Sequence, residues 1–145
     1  MRIVLQRVRR AKVWVRDEVK GEIGRGMVLL VGVRRGDSHE DARWLAHRCS
    51  GLRIFEDGEG KMNLSLLDIG GEALVVSQFT LYGDTRKGMR PSFTEAAPLQ
   101  EAEALYRTLV ETLKAEGVPV RTGEFGARML VEIENEGPVT LILER

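Results

Sequence analysis

Three segments of this chain carry polar or special residues where an apolar one would be the simpler choice. The first is Ser77-Gln78-Phe79-Thr80, inside an otherwise apolar run from Ala73 to Tyr82 that reads as a strand. Side chains alternate along a strand, so Gln78 and Thr80 would share one face, and Ser77 and Phe79 the other. A buried glutamine amide without partners is costly. The run is therefore either an edge strand whose polar face meets water, or a strand lining a pocket with an amide and a hydroxyl. In the pocket reading Thr80 and Gln78 are the candidate catalytic residues. A threonine nucleophile normally has an adjacent base, and no His, Lys or Asp lies within the segment.

The second segment is Asn135-Glu136-Gly137-Pro138-Val139-Thr140. It reads either as a turn between two strands or as a stiff wall of main chain. Glycine lets its backbone approach another molecule closely, and proline holds that backbone rigid. Only about 5–6% of X-Pro bonds in folded proteins are cis, so the residues leave the isomer open. The third segment, Asp84-Thr85-Arg86-Lys87-Gly88-Met89-Arg90-Pro91, is a basic loop. Arg86, Lys87 and Arg90 suit a phosphate backbone, or they make an ordinary solvated loop.

Other chemistry is scarce. The chain has no Gly-x-Ser-x-Gly elbow, no His-x-x-x-His pair and no Gly-x-x-x-x-Gly-Lys loop. His39 and His47 fall on a predicted helix as structural histidines. Cys49 falls on that helix's apolar stripe, where a free cysteine is a small buried hydrophobe. One cysteine rules out an internal disulfide and a multi-cysteine zinc site. No metal and no cofactor is expected. The 22 basic and 22 acidic side chains cancel, which excludes a net-basic nucleic-acid binder but not a local basic patch. Residues 1–16 hold six cations and no acid, whereas 121–145 hold five glutamates against three arginines. Arg supplies 17 of the 22 cations and the amides number only five, a composition that favours thermal stability.

The elements that must position these residues follow from periodicity. A length of 145 residues predicts a single domain, 1–145. Residues 2–15 read as one or two strands, Val19 to Ile23 as a short returning strand, and Met27 to Val33 as a buried one. A helix capped by Asp37 or Ser38, with Glu40 or Asp41 closing a capping box, places Ala42, Leu45, Ala46 and Cys49 on one face and ends near Gly51. Leu52 to Phe55 reads as a strand before the Asp57-Gly58-Glu59-Gly60 turn. A second helix spans about 98–116, with Pro98 in its first position. Met129 to Glu134 and Val139 to Leu143 read as two final strands. About eight strands to two main helices predicts an α+β fold with a largely antiparallel, barrel-like sheet. The longest apolar run, Met27 to Val31, is too short to span a bilayer. The opening residues carry no signal-peptide pattern. A soluble cytoplasmic protein with no membrane partner is expected.

At these residues the sequence resembles the D-aminoacyl-tRNA deacylase family, also called D-tyrosyl-tRNA deacylases. Arg2-Ile3-Val4-Leu5-Gln6-Arg7-Val8 is similar to the family's opening. Leu52-Arg53-Ile54-Phe55 and Gly60-Lys61-Met62-Asn63-Leu64-Ser65 resemble its central stretch. Ser77-Gln78-Phe79-Thr80 matches its Ser-Gln-x-Thr motif, and Asn135-x-Gly137-Pro138-Val139-Thr140 its Asn-x-Gly-Pro-Val-Thr motif. Either motif alone is weak; both, in this order, are specific.

The resemblance implies a homodimer that removes D-amino acids wrongly esterified to tRNA, with its pocket at the subunit interface. It implies that Ser77, Gln78, Phe79 and Thr80 form one wall, and that Gly137 and Pro138, joined by a cis bond, form the other wall from the second subunit. It leaves Thr80 either as a nucleophile or as a positioning group, with the terminal ribose 2′-hydroxyl assisting the cleavage. Glycyl-tRNA becomes a possible second substrate. Arg86, Lys87 and Arg90 become candidates for holding the tRNA acceptor end, and Arg7 a support for the Gly-Pro wall. The competing reading is a non-catalytic RNA-binding or dimerisation module using the basic first strand and the 86–90 loop.

Overall fold

The computed structural model describes residues Met1–Arg145. Its organising element is the first strand, β1 (Arg2–Val15), long enough to serve two neighbours along one edge. Its second half pairs antiparallel with β2 (Glu18–Ile23), from Val15 opposite Glu18 to Ala11 opposite Ile23. Its first half pairs antiparallel with β3 (Gly26–Gly32), from Val8 opposite Gly26 to Arg2 opposite Gly32. The connecting hairpin turns through Arg16 and Asp17, both at positive φ (49° and 64°). That backbone is the one a two-residue hairpin requires.

Beyond β3 the sheet continues with parallel pairs, β3 to β6 (Glu72–Ser77) and β6 to β7 (Val120–Thr122). Between them come α1 (His39–Gly51), the small hairpin of β4 (Phe55–Glu56) and β5 (Met62–Leu64), and α2 (Leu66–Ile69). Between β6 and β7 comes α3 (Leu99–Ala115). The sheet curls until β2 reaches β7: a Cβ on Gly21 would lie 2.9 Å from the Thr122 carbonyl oxygen. The result is the expected α+β, largely antiparallel, nearly closed barrel-like sheet with two substantial helices. The last strand, β8 (Leu130–Glu144), runs antiparallel along the other edge of β1 and pairs with nothing else.

Burial follows the alternation along the strands. On β6, Ala73 and Val75 join the larger core between sheet and helices, with Ile3, Leu5, Leu29, Leu45 and Leu109. Leu74 and Val76 point the other way and join the smaller core inside the barrel, with Val8, Val13, Ile23 and Val28. The helix α1 begins at the second of the two caps that the sequence offers. Ser38 caps it, and Asp41 returns the bond to the Ser38 amide at 2.8 Å. No helix is long and apolar enough to cross a membrane.

Six elements differ from expectation. The strand predicted over 73–82 stops at Ser77 and gives way to a helical turn, Phe79–Tyr82. The two strands predicted at the C-terminal end are one, β8, because both halves pair with the same long β1 rather than with each other. The strand predicted over 52–55 is only Phe55–Glu56. β5, α2 and β7 lie where no element was expected; at three, four and three residues they are too short for a periodic signal.

Candidate active site

The Ser77–Thr80 segment owes its shape to the end of the β3–β6 ladder. Val31 is the last β3 residue in that ladder, opposite Ser77. The Gln78 amide still donates to the Val31 carbonyl at 2.7 Å, and then the chain turns. Gln78 leaves the strand with φ −146° and ψ 73°. The turn closes with bonds from the Leu81 amide to Gln78 O (3.2 Å) and from the Gly83 amide to Thr80 O (2.9 Å). Gln78 and Thr80 do meet, but not by sharing a strand face. The Gln78 amide nitrogen donates across the turn to Thr80 Oγ1.

Ser77 and Phe79 line a cavity of about 340 Å³ with Arg35, Phe93, Leu99 and Phe125 among its walls; Gln78 and Thr80 do not line it. Phe79 is 58% exposed and meets Phe93 edge-on, with ring centroids 5.2 Å apart. The Thr80 hydroxyl takes its side-chain hydrogen bond from Gln78 and makes none to a His, Lys, Asp or Glu side chain. His39 is bonded to Thr108 Oγ1 at 2.7 Å and His47 to Glu116 at 3.1 Å. Cys49 is fully buried, and burial pushes its thiol up to about 12. What the turn offers instead is main chain. The amides of Phe79 and Thr80 open a helical turn, where no preceding carbonyl of the same turn can accept them.

The Gly137–Pro138 segment is a bulge within β8. From Gln6 to Arg10 β1 advances four residues, while β8 advances six from Thr140 to Glu134. The surplus pushes Glu136–Val139 out of the ladder, and the Gly137–Pro138 bond within it is cis. Side chains of β1 and β8 hold this bulge from behind. Arg7 is 4% exposed. Its Nε donates to the Glu136 carbonyl at 3.2 Å and its Nη1 to the Ile54 carbonyl at 2.7 Å. The Asn135 amide donates to the carbonyls of Arg7 (3.0 Å) and Val139 (3.1 Å), closing the base of the bulge. Gly137 and Pro138 themselves stay exposed.

Arg7 thus does support the Gly-Pro segment. The Asn135 bracket and the Ile54 anchor were not foreseen, because both act through main-chain carbonyls that no residue type announces. Within one chain no hydrogen bond joins Gly137 or Pro138 to Ser77–Thr80, and neither residue lines the Phe79 cavity.

The basic loop is pinched at its base by paired amide–carbonyl bonds between Asp84 and Ser92 (2.7 and 3.0 Å). Its cations are not equivalent. Asp84 takes Arg86 in a bidentate grip, Nε at 2.9 Å and Nη2 at 2.7 Å. The Arg86 bonds hold the Asp84 carboxyl well below its ordinary range, at about 2. Lys87 and Arg90 have no ion pair or side-chain hydrogen bond. An aspartate two residues before an arginine was visible in the sequence, but not that the two would close on each other.

Comparison with known proteins covers the whole of this architecture. The family model described as D-Tyr-tRNA(Tyr) deacylase matches residues 4–144. A D-aminoacyl-tRNA deacylase of Thermomicrobium roseum is 61% identical over 144 residues, spanning 99% of this chain and 94% of that protein. One of Thermotoga petrophila is 58% identical, spanning 99% and 97%. Among solved structures, one titled c-Myc DNA Unwinding Element Binding Protein superposes with a TM-score of 0.94 at 40% identity, over 100% of this chain and 99% of that one. A probable eukaryotic D-amino acid tRNA deacylase shares the fold with a TM-score of 0.80 at 21% identity, over 98% and 97%. With both motifs in place and residues 4–144 matched, this chain belongs to the D-Tyr-tRNA(Tyr) deacylase family.

Proposed function

We propose that this chain hydrolyses the ester joining a D-amino acid to tRNA, releasing the free amino acid and the tRNA. Full-length relatives with that name support the reaction. The observation that carries its chirality is the Gly137–Pro138 bulge, gripped from behind by Arg7 and Asn135 and bare in front. D- and L-esters carry the same groups, and attractive contacts separate such pairs poorly. Discrimination of about 10⁴-fold needs about 5.5 kcal/mol, at about 1.4 kcal/mol per decade. A rigid clash supplies that readily. A main-chain wall admits a hydrogen on one side of the substrate Cα and refuses any side chain there. Such a wall ignores side-chain identity, so glycyl-tRNA is a substrate too.

The two walls come from different copies of the chain in this reading. The outer edge of β8 is unpaired along 15 residues and exposes Leu130, Leu141 and Ile142. An open apolar edge of that length is a template for a second chain. A homodimer built on this edge would bring one protomer's Gly137 and Pro138 to its partner's Thr80 turn.

Hydrolysis then needs little from side chains. The terminal 2′-hydroxyl activates a water, which attacks the ester carbonyl. The oxyanion that forms takes hydrogen bonds from main-chain N–H groups of the Phe79–Thr80 turn, and the 3′-oxygen leaves with a proton. One such donor is worth about 10²–10³ in rate in known cases. The Gln78 side-chain amide donates to the Thr80 hydroxyl and holds it in place on the turn. Lys87 and Arg90, with a lesser share from Arg86, hold acceptor-end phosphates. The chain carries no net charge, so binding is modest and salt-dependent.

The test is hydrolysis of D-tyrosyl-tRNA beside L-tyrosyl-tRNA by the purified protein at limiting concentration. Rapid loss of the D-ester alone is expected. Loss of neither would move the chain to a nucleic-acid-binding role without catalysis.

A further inference from the structure

We propose that Arg2 is a positioning residue, whose guanidinium seats the helical turn carrying Phe79 and Thr80 by holding the Leu81 carbonyl. The inference rests on the deacylase reading above. Arg2 Nη1 donates to Leu81 O at 2.7 Å. The same guanidinium lies over the Tyr82 ring, 4.8 Å from its centroid. Its Nε is paired with Glu144 on β8. Carbonyls at the end of a helical turn lack a donor within the turn, and Arg2 supplies one.

The floor beneath the turn is the residue opposite Arg2 on β3, Gly32. A Cβ there would lie 3.0 Å from Leu81 Cβ and 3.2 Å from the Gln78 carbonyl oxygen. The turn thus rests on bare main chain at Gly32 and is gripped by the side chain of the residue beside it. A planar guanidinium offers N–H groups in two directions and a face for an aromatic ring at once. A lysine keeps the attraction to Glu144 but cannot make all three contacts. Arg2 does not line the Phe79 cavity, so it acts through the turn and not on substrate.

The experiment compares Arg2→Lys, Glu144→Gln and wild type on D-tyrosyl-tRNA, with KM, kcat, melting temperature and oligomeric state read for each. Arg2→Lys is expected to lower kcat about ten- to hundredfold at unchanged KM, the scale of a misplacement of up to about 1 Å. Its melting temperature and oligomeric state should match wild type. Glu144→Gln, which leaves the Leu81 and Tyr82 contacts in place, is expected to stay within about twofold of wild-type kcat. A rise in KM at unchanged kcat in Arg2→Lys would make Arg2 a tRNA contact and overturn the proposal. So would an equal kcat loss in Glu144→Gln, which would trace the effect to β8. Should Arg2→Lys fail to fold, Tyr82→Leu tests the same seat and must lower kcat at unchanged KM. An inactive wild type sinks the deacylase reading itself, whereas an active wild type with a fully active Arg2→Lys sinks only this one.

Discussion

The Arg7 guanidinium reaches across from β1 and holds the carbonyl of Glu136, the residue before Gly137, at 3.2 Å. A second arm of the same side chain ends on the Ile54 carbonyl at 2.7 Å. One buried cation therefore ties the bulge of β8 to the chain entering the β4–β5 hairpin. Replacing it with methionine keeps the apolar stem but leaves both carbonyls without their donor. The Ile54 carbonyl then becomes a buried acceptor without a donor, which costs about 1–3 kcal/mol. Arg7→Met is expected to lower the melting temperature by several degrees and to raise cleavage of L-tyrosyl-tRNA relative to the D-ester. Thermal unfolding and the D:L rate ratio check the two effects separately.

Gly137 behaves differently. A Cβ added there would meet only Asn135 Oδ1, at an ordinary 3.7 Å. Gly137→Ala is therefore expected to fold with stability within about 0.5 kcal/mol of wild type, as exposed substitutions usually do. In the proposed wall the added methyl would stand where the substrate Cα approaches, so kcat/KM for D-tyrosyl-tRNA should fall at least about tenfold. Wild-type activity in Gly137→Ala would remove this residue from the wall.

Thr80 has a glutamine amide as its side-chain partner and no base. Thr80→Ala should retain activity within about tenfold of wild type, a loss of about 1.4 kcal/mol. A substrate ending in 2′-deoxyadenosine should be cleaved hardly at all. Near-total loss in a folded Thr80→Ala, with the deoxy substrate still cleaved, would make Thr80 the nucleophile.

Asp84 decides how the basic loop divides its labour. Its carboxyl is held down at about 2 by Arg86, against an ordinary value of 3.8. A depressed carboxylate contributes its stabilisation above the unfolded value and loses it only as pH falls through the folded one. The Asp84–Arg86 grip therefore persists from neutral pH down past about pH 4, and its contribution to stability is lost only between there and about pH 2. At neutral pH Arg86 is therefore engaged with Asp84. Charge reversal at Lys87 or Arg90 should raise KM for tRNA more than reversal at Arg86, in a titration at low salt. Equal effects at all three would refute this ranking.

The Cys49 thiol is fully buried and pushed up to about 12, so almost none of it is thiolate at neutral pH. Iodoacetamide should neither label the native protein appreciably nor lower its activity. Labelling should appear only on unfolding, as read by mass spectrometry.

Much of this molecule was legible in its residues. The capping box at Ser38, the apolar stripes of α1 and α3, the buried run of β3 and the α+β class all follow from local periodicity and from side chains that act within a few residues of themselves. The two motifs stood out because residues as particular as Gln78 and the Gly137–Pro138 pair interrupt apolar strands, and the structure makes a helical turn of one segment and a bulge of the other. What the residues could not say was how far each strand runs. Val76 and Gln78 are equally compatible with extended chain, and β6 ends at Ser77, where its ladder with β3 ends opposite Val31. The segment 135–138 has the composition of a turn. It is a bulge because the single long strand β1 pairs with β8 on both sides of it. Pairing partners, register and the carbonyls that Arg2, Arg7 and Asn135 find are long-range properties. They link residues up to 142 positions apart, and only the closing of the sheet decides them.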